Sequence, residues 1–187
     1  MSSTFWSNNT VEPKRSFRFQ MYLPGSSTDG TDIATYLVKT AAKPNFQMDG
    51  QGTVKYVQHT FKYPGRVTWQ PIDVTILDPM DPDSAAKLVN ILAVSGYTAP
   101  RTEEDALKSI SKKKANDALK GVRLAELNSE GAQISEWTLI NPFFTNVNFG
   151  TLGYDSDELI EYTLTIEYDY ATYSATHTPV DERVRTK

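Results

Sequence analysis

The sequence contains no cysteine among its 187 residues. Disulfides, thiolate metal sites and a cysteine nucleophile are therefore excluded. His59 and His177 are its only histidines, so a histidine metal cluster is not expected. The chain has no run of about 18 apolar residues and no apolar segment typical of a signal peptide. We therefore expect neither membrane insertion nor Sec export.

Catalytic motifs are also missing. The chain has no G-x-S-x-G elbow, Walker loop or dinucleotide fingerprint. Asp155, Asp157 and Glu158 lie close together, but they lack the spacing of a calcium-binding hand and are typical of a solvated turn. We expect no enzymatic activity, no metal and no cofactor.

Positive charge is absent from a long part of the sequence. Residues 124–182 contain 11 Asp and Glu but no Lys or Arg, whereas residues 1–123 contain 16 Lys and Arg against 12 Asp and Glu. One interpretation is a solvated acidic face that arose by chance. The other is a surface past which a polyanion moves without binding.

The most regular pattern runs from Glu158 to Tyr170. From Ile160 onward, apolar residues occupy every second position, which predicts a strand with one face in a core and the other in water. The polar positions between them are Glu161, Thr163, Thr165, Glu167 and Asp169.

The rest of the chain predicts short strands and one firm helix. The strand candidates are Ser16–Leu23, Thr35–Ala41, Val54–Tyr63, Val67–Leu77, Val122–Leu127, Gln133–Ile140 and Asn146–Leu152. Pro64-Gly65 predicts a hairpin between the third and fourth of these, and Pro71 predicts a bend within the fourth. Asn128 to Gly131 predicts a hairpin between the fifth and sixth.

The helix is expected over about 81–95. Its N-cap is Asp81, its buried stripe contains Ala85, Leu88, Val89 and Leu92, and it stops at Gly96. A Lys-rich helical insertion over about 102–120 is either one helix or two, with a break near Lys114.

These elements predict a mainly β fold: an antiparallel sandwich or barrel with one flanking α-helix and a helical insertion. The predicted domain covers residues 16–170. Residues 1–15 and 171–187 are predicted to be N-terminal and C-terminal arms, because they lack periodicity.

Several segments carry a resemblance to a known family. They are a hairpin arm with Trp137, the segment Asn141 to Val147, the turn Tyr154 to Asp157, and the alternating strand that ends in Tyr168-Asp169-Tyr170. They resemble the C-terminal signature of tail tube proteins of contractile-tailed phages, with a P-T-x-V segment, an aspartate-bearing turn and a final aromatic pair. The segments Ser16 to Leu23 and Tyr63 to Ile76 are similar to that family's opening strand and central hairpin. In one departure, Pro142 precedes Phe143-Phe144 and not Thr145 directly.

The resemblance implies a structural subunit whose sheets close into one β-barrel as a hexameric ring. The rings stack into a tube inside a sheath, through which DNA is ejected, and the fold is shared with the ring protein of type VI secretion. The implied partners are further copies of the chain, the sheath protein, baseplate and tail-terminator proteins, the tape-measure protein, and viral DNA bound without sequence specificity. The implied location is the virion tail, assembled in the host cytoplasm.

In such a tube the alternating strand has water on one side. The hypothesis is that Glu161, Thr163, Thr165, Glu167 and Asp169 line a bore free of cations, since each Lys or Arg on this surface adds affinity for DNA. By their charge, Lys108, Lys112, Lys113 and Lys114 are expected to face outward or toward an adjoining ring or sheath. The alternatives are a baseplate tube initiator, the tube of an injection particle without DNA, and a carbohydrate-binding β-sandwich.

Overall fold

The structure is a computed structural model that describes residues 12–23, 33, 35–50, 52–155 and 157–175. Most of the two predicted arms lies outside these residues. The strands are β1 Phe19–Tyr22, β2 Val38–Ala41, β3 Asn45–Met48, β4 Gly52–Tyr56, β5 His59–Tyr63, β6 Val67–Gln70, β7 Ile72–Leu77, β8 Arg123–Leu127, β9 Gln133–Ile140, β10 Phe143–Asn148, β11 Glu161–Glu167 and β12 Tyr170–Ala175. The helices are α1 Ser84–Val94, α2 Glu103–Ala106 and α3 Lys112–Ala118.

Two four-stranded antiparallel sheets enclose the core. Sheet 1 has the order β1-β8-β9-β12, and sheet 2 has the order β10-β11-β7-β2. Core side chains of sheet 1 include Met21, Leu124 and Leu139, and those of sheet 2 include Val74, Leu164 and Ile166. Leu88 and Ile91 of α1 and Leu119 after α3 belong to the same cluster. The predicted antiparallel, mainly β fold is confirmed.

A long two-stranded ribbon joins β2 to β7, and here the predicted hairpin is wrong. The segment Val54–Tyr63 is two strands that turn at Val57-Gln58, where Val57 has a φ of 53°. β4 pairs with β5 at the tip of the ribbon, and β3 pairs with β6 at its base, next to the sheets. Pro64-Gly65 therefore lies along one arm of the ribbon, opposite Asp49, and not at its tip. The predicted bend at Pro71 separates β6 from β7, as expected.

The alternating segment near the C-terminal end is shorter than predicted. β11 ends at Glu167, and the chain then crosses at Tyr168-Asp169 from sheet 2 to β12 of sheet 1. β12 pairs with β9 from Tyr170 to Ala175, so residues 171–175 belong to the β domain and not to the predicted arm. In the sequence the apolar residues still alternate as far as Tyr170, so the pattern did not show the crossover, although the buried residues on its two sides are Tyr168 and Ala171.

The firm helix is confirmed, but its start and its buried side differ from the prediction. The N-cap is Asp83, whose carboxylate accepts a hydrogen bond from the Ala86 N–H at 3.1 Å. Ser84, Leu88 and Ile91 are buried, whereas Val89 and Leu92 are 56% and 43% exposed. Gly96 has a φ of +103°, which suits the predicted stop.

The Lys-rich insertion contains two short helices. Their break spans residues 107–111 and not Lys114, because Thr102 and Ser111 each cap a new helix with a side-chain oxygen. Among the residues that the structure describes, no helix has the length and apolar character needed to cross a membrane.

Candidate functional site

The central rows of the outward face of sheet 2 form a polar surface, and at its two ends Leu77 lies opposite Glu161 and Phe143 lies opposite Glu167. Residues directly opposite each other in an antiparallel sheet point to the same side, so the strand register defines this face. One cross-strand row contains Asn148, Thr163, Thr75 and Thr40. The next contains Asn146, Thr165 and Asp73. Hydroxyl and amide groups therefore cover its centre.

The register is supported by hydrogen bonds on this face. The Thr165 hydroxyl donates to the Asp73 carboxylate at 2.8 Å, across β11 and β7. Glu161, at the start of β11, pairs with Lys39 of β2. Lys39 is the only Lys or Arg within the four strands of sheet 2, all of which the structure describes. The face is therefore acidic overall. The sequence predicted a face free of cations, but Lys39 lies on it.

Asp169 does not lie on β11 with the other four predicted residues. It lies at the crossover between the sheets, where its carboxylate accepts hydrogen bonds from Lys112 at 2.8 Å and from Asn141 at 2.7 Å. Lys112, followed by Asn141, lowers the pKa of Asp169. Asp169 was predicted to line the bore and Lys112 to face outward or toward an adjoining ring or sheath, and the structure brings the two into contact.

The remaining predicted lysines lie on the helical insertion. Lys108 pairs with Asp105 on α2 at 2.8 Å. Lys113 lines a cleft of about 400 Å³ between α3 and the end of β9. Lys114 lies beside Gly96, at the end of α1.

Sheet 2 ends in two unpaired edges, β2 and β10. Every strand is antiparallel to its neighbour, so over four strands the two edges run in opposite directions. An edge of this kind pairs readily with a further strand.

A basic pocket of about 730 Å³ lies beside the β2 edge. Its charged lining comprises Lys14, Arg15, Arg18, Lys39, Lys43 and Glu126. Glu126 is 7% exposed and pairs with both Lys14 and Lys43, and it accepts a hydrogen bond from Ser135 at 2.6 Å. Burial alone would raise the pKa of Glu126, but these three partners outweigh it and lower the pKa to about 2.

An apolar groove of about 310 Å³ lies beside the β10 edge. Leu88, Val89 and Leu92 of α1 form one wall, and Phe144 and Val147 of β10 form the other. The exposed Val89 and Leu92 are thus explained as walls of this groove. The two edges of sheet 2 therefore differ in character: one is basic and the other is apolar.

Sequence reasoning missed several residues of the polar face. Asp73 and Thr75 alternate with apolar residues in β7, and that signal was visible. Lys39 was not visible as a neighbour of Glu161, because the two are 122 residues apart. Long-range pairing of this kind depends on strand order, which the alternation does not specify.

The fold formed by these sheets, the ribbon and the flanking helix is that of tube-type proteins of contractile injection systems. A chain in the cryo-EM structure of the anti-feeding prophage (AFP) baseplate, with six-fold symmetry applied, has a TM-score of 0.60 over 90% of this chain and 99% of that chain, at 12% identity. A chain in the sheath–tube complex of the extracellular contractile injection system PVC has a TM-score of 0.59 over 93% and 99%, at 14% identity. A chain in the AFP tube-terminating cap has a TM-score of 0.59 over 88% and 93%, at 17% identity.

At these identities the likeness is one of fold. No protein-family model matches the chain, and no curated protein matches it in sequence. In the described part of the chain, no group of three or more His, Asp or Glu side chains is arranged to hold a metal ion. The predicted resemblance to the tube fold is confirmed at the level of structure.

Proposed function

We propose that the protein is a non-enzymatic, ring-forming subunit of the tube of a contractile particle, with the outward face of sheet 2 lining the bore. The observation that carries this proposal is the combination of a polar sheet face with two unpaired, oppositely directed edges. By analogy with the six-fold AFP baseplate, we take six copies per ring.

The direction of the edges suits a closed ring. In a head-to-tail ring, β10 of one copy meets β2 of the next, and the two strands are antiparallel. The pairing therefore continues the alternation already present within sheet 2. A sheet closed in this way leaves no free edge, which removes a site of aggregation.

The bore residues in this proposal are Glu161, Thr163, Thr165 and Glu167, with Asp169 at its margin. Thr, Asn and paired acidic side chains give hydrogen bonds to water and little attraction for phosphate. Duplex DNA binds chiefly through Lys and Arg that displace counterions, so this face suits a polyanion that slides. We propose viral DNA as the cargo of a phage tail, with a tape-measure protein occupying the bore before ejection.

The outer contacts follow from the remaining surfaces. One face of the β4–β5 ribbon carries Val54, Tyr56, Phe61 and Tyr63, each more than half exposed. We propose that this apolar face packs against a copy in an adjoining ring. Lys113 and Lys114 on α3, together with Lys108, are proposed to face the sheath, whereas Lys112 pairs with Asp169 at the margin of the proposed bore.

A second candidate is a subunit of a single ring at one end of the tube, in the baseplate or in a terminator. The likeness to chains of the AFP baseplate and cap structures favours it as much as the likeness to the sheath–tube complex favours a tube subunit. The two candidates share the ring and differ in stacking.

Negative-stain microscopy of the purified chain tests the proposal. Rings are expected from both candidates, and long tubes only from a tube subunit. A chain that remains monomeric at high concentration contradicts both.

A proline in the β2 edge then tests how the ring closes. The Ala42 N–H donates to the main-chain carbonyl of Asp73 in β7 at 2.9 Å. Because N–H groups alternate in direction along a strand, the N–H of Ala41 points away from β7. Ala41→Pro removes an N–H that only a neighbouring copy uses. It is expected to abolish rings while the monomer keeps its β-type circular dichroism, and Ala41→Ser is the matched control. Rings formed by Ala41→Pro would show that β2 is not the closing edge.

A further inference from the structure

We propose that the connection between β10 and β11, residues 149–160, docks against the basic β2 edge of the next copy in the same ring. This inference rests on the proposed ring. It assigns the partner of the basic pocket: an acidic, partly apolar loop of a second copy of the chain.

The pocket needs a partner that is both anionic and apolar. Its walls include Phe17, Phe19, Leu124 and Leu127 besides the basic residues. Phe17 is 72% exposed and Tyr36, just before β2, is 76% exposed. The side chains of Lys14, Lys39 and Lys43 are 50%, 53% and 62% exposed. Each already pairs with a glutamate, but enough of each side chain is exposed to contact a second anion.

The connection offers the matching combination. Leu152, Tyr154 and Leu159 are 83%, 113% and 73% exposed. Asp155 and Asp157 lie between them and are also exposed. Large apolar side chains that project with carboxylates from one loop are typical of an interface with a basic and apolar surface.

The topology places the loop and the edge at the same junction. The connection leaves β10 at Asn148 and returns to β11 near Glu161. Glu161 pairs with Leu77, and the neighbouring Ile76 pairs with Val38, so β2 begins at this same end of sheet 2. In an antiparallel β10–β2 junction, this end of β10 lies beside Val38 and Lys39 of the next copy. A loop of 12 residues that leaves and returns reaches roughly 20 Å, enough to cross one strand spacing of about 4.8 Å.

This arrangement gives the ring its direction. In an antiparallel two-fold contact of two β10 edges, the acidic loop of each copy would lie beside the opposite end of the partner's β10 and would meet no basic edge, and two β2 edges would bring clusters of Lys and Arg together. Only head-to-tail contact joins unlike charges. The basic β2 edge and the acidic loop that follows the apolar β10 edge therefore favour a closed ring over a two-fold dimer.

Disulfide trapping tests the contact directly, because the chain has no cysteine of its own. We pair Asp157→Cys with Lys39→Cys in one chain, and separately with Arg15→Cys, and oxidise the assembled rings. At least one pair is expected to give a ladder of cross-linked chains on denaturing gels that ends at the number of copies per ring. Asp157→Cys alone is expected to give no cross-link, since it would bond only in a two-fold dimer.

The matched control pairs Glu104→Cys on α2 with Lys113→Cys on α3, which belong neither to the connection nor to the lining of the basic pocket, and it is expected to give no ladder. If rings form but neither test pair cross-links, or if the ladder exceeds the ring size, the docking is wrong while the proposed ring remains. If the unmodified chain forms no rings, the proposed function itself fails.

As a second measure, Asp155→Lys with Asp157→Lys is expected to raise the concentration needed for half assembly by about tenfold. Adding Arg15→Glu, at the second pocket position used for cross-linking, is expected to recover part of this loss. If the double lysine variant assembles at the same concentration as the unmodified chain, the docking is wrong.

Discussion

The Lys112 ammonium lies 2.8 Å from the Asp169 carboxylate, so α3 is tied to the point where the chain crosses from sheet 2 to sheet 1. Their side chains are 62% and 38% exposed. The Lys-rich insertion is attached to the body of the protein by the buried Ala118 and Leu119, and this solvated ion pair adds a second contact at the crossover.

Breaking this pair is expected to have a small effect on stability. Lys112→Ala should lower the free energy of unfolding by less than about 1 kcal/mol, since exposed ion pairs contribute little. The loss should be larger at low salt than at high salt. Urea unfolding at both salt concentrations measures it, with Lys108→Ala, which breaks the local Lys108–Asp105 pair, as the matched control. An effect that is large and independent of salt would show that Lys112 acts through packing.

A lysine in the centre of the polar face is expected to retain DNA. Thr163→Lys adds a cation there and breaks no ion pair, whereas replacing Glu161 would also leave Lys39 without its partner. Rings and tubes should form normally, while DNA passage slows and recovers at high salt, because each Lys contact with phosphate is weakened by salt. Ejection kinetics at two salt concentrations measure this.

Thr163→Glu is the matched control for the previous experiment and should leave ejection unchanged. Binding of short duplex DNA to purified tubes gives a second measurement. Equal behaviour of Thr163→Lys and Thr163→Glu would remove this face from the bore.

Glu126 is expected to make folding sensitive to acid. Its pKa is lowered from 4.5 to about 2, so its contribution to stability is present above about pH 4.5 and is lost as the pH falls toward 2. Glu126→Gln should cost about 1.5–3 kcal/mol at pH 7, since charged hydrogen bonds are removed. The difference from the unmodified chain should shrink below pH 4.5. Chemical denaturation across this range measures it, and a difference that does not depend on pH would contradict the assignment.

The apolar face of the ribbon is expected to matter for stacking and not for folding. Phe61→Ser removes a side chain that is 52% exposed in the single chain, so the thermal midpoint should change little. Tube length, measured by sedimentation and microscopy, should fall. Lys62→Ser on the opposite face is the matched control. If Phe61→Ser unfolds the monomer, the ribbon packs against its own chain.

Much of the fold follows from local patterns. The alternation in β11 and β7 and the turn at Asn128 to Gly131 predicted their strands correctly, because a half-buried strand repeats every two residues. The pattern failed at Tyr168-Asp169, where the chain changes sheets: the apolar residues of the sequence still alternate as far as Tyr170, but the buried residues are Tyr168 and Ala171. It also failed in the ribbon, since Pro64-Gly65 is a stronger turn signal than Val57-Gln58, although the chain turns at the latter.

The polar positions were predictable within β11 and β7, but their assembly into one face was not. β11 supplied Glu161, Thr163, Thr165 and Glu167, whose side-chain alternation is visible in the sequence. The neighbours of these residues come from β2, β7 and β10, and their register depends on contacts across the whole chain. Lys39 is the clearest example, because it alters the charge of the face and belongs to a strand that the sequence defined weakly.

The four-stranded count of sheet 2 has a consequence for pore size. Each added copy ends in the same kind of strand as the copy before it, so backbone pairing permits any number of copies. The diameter of the proposed ring therefore depends on the curvature of sheet 2. This sheet has irregularities in its outer strands, between Val38 and Thr40 and between Phe144 and Asn146. Because both irregularities lie in the strands proposed to pair between copies, removing either one is expected to change the inter-subunit hydrogen bonds and the diameter of the proposed pore together.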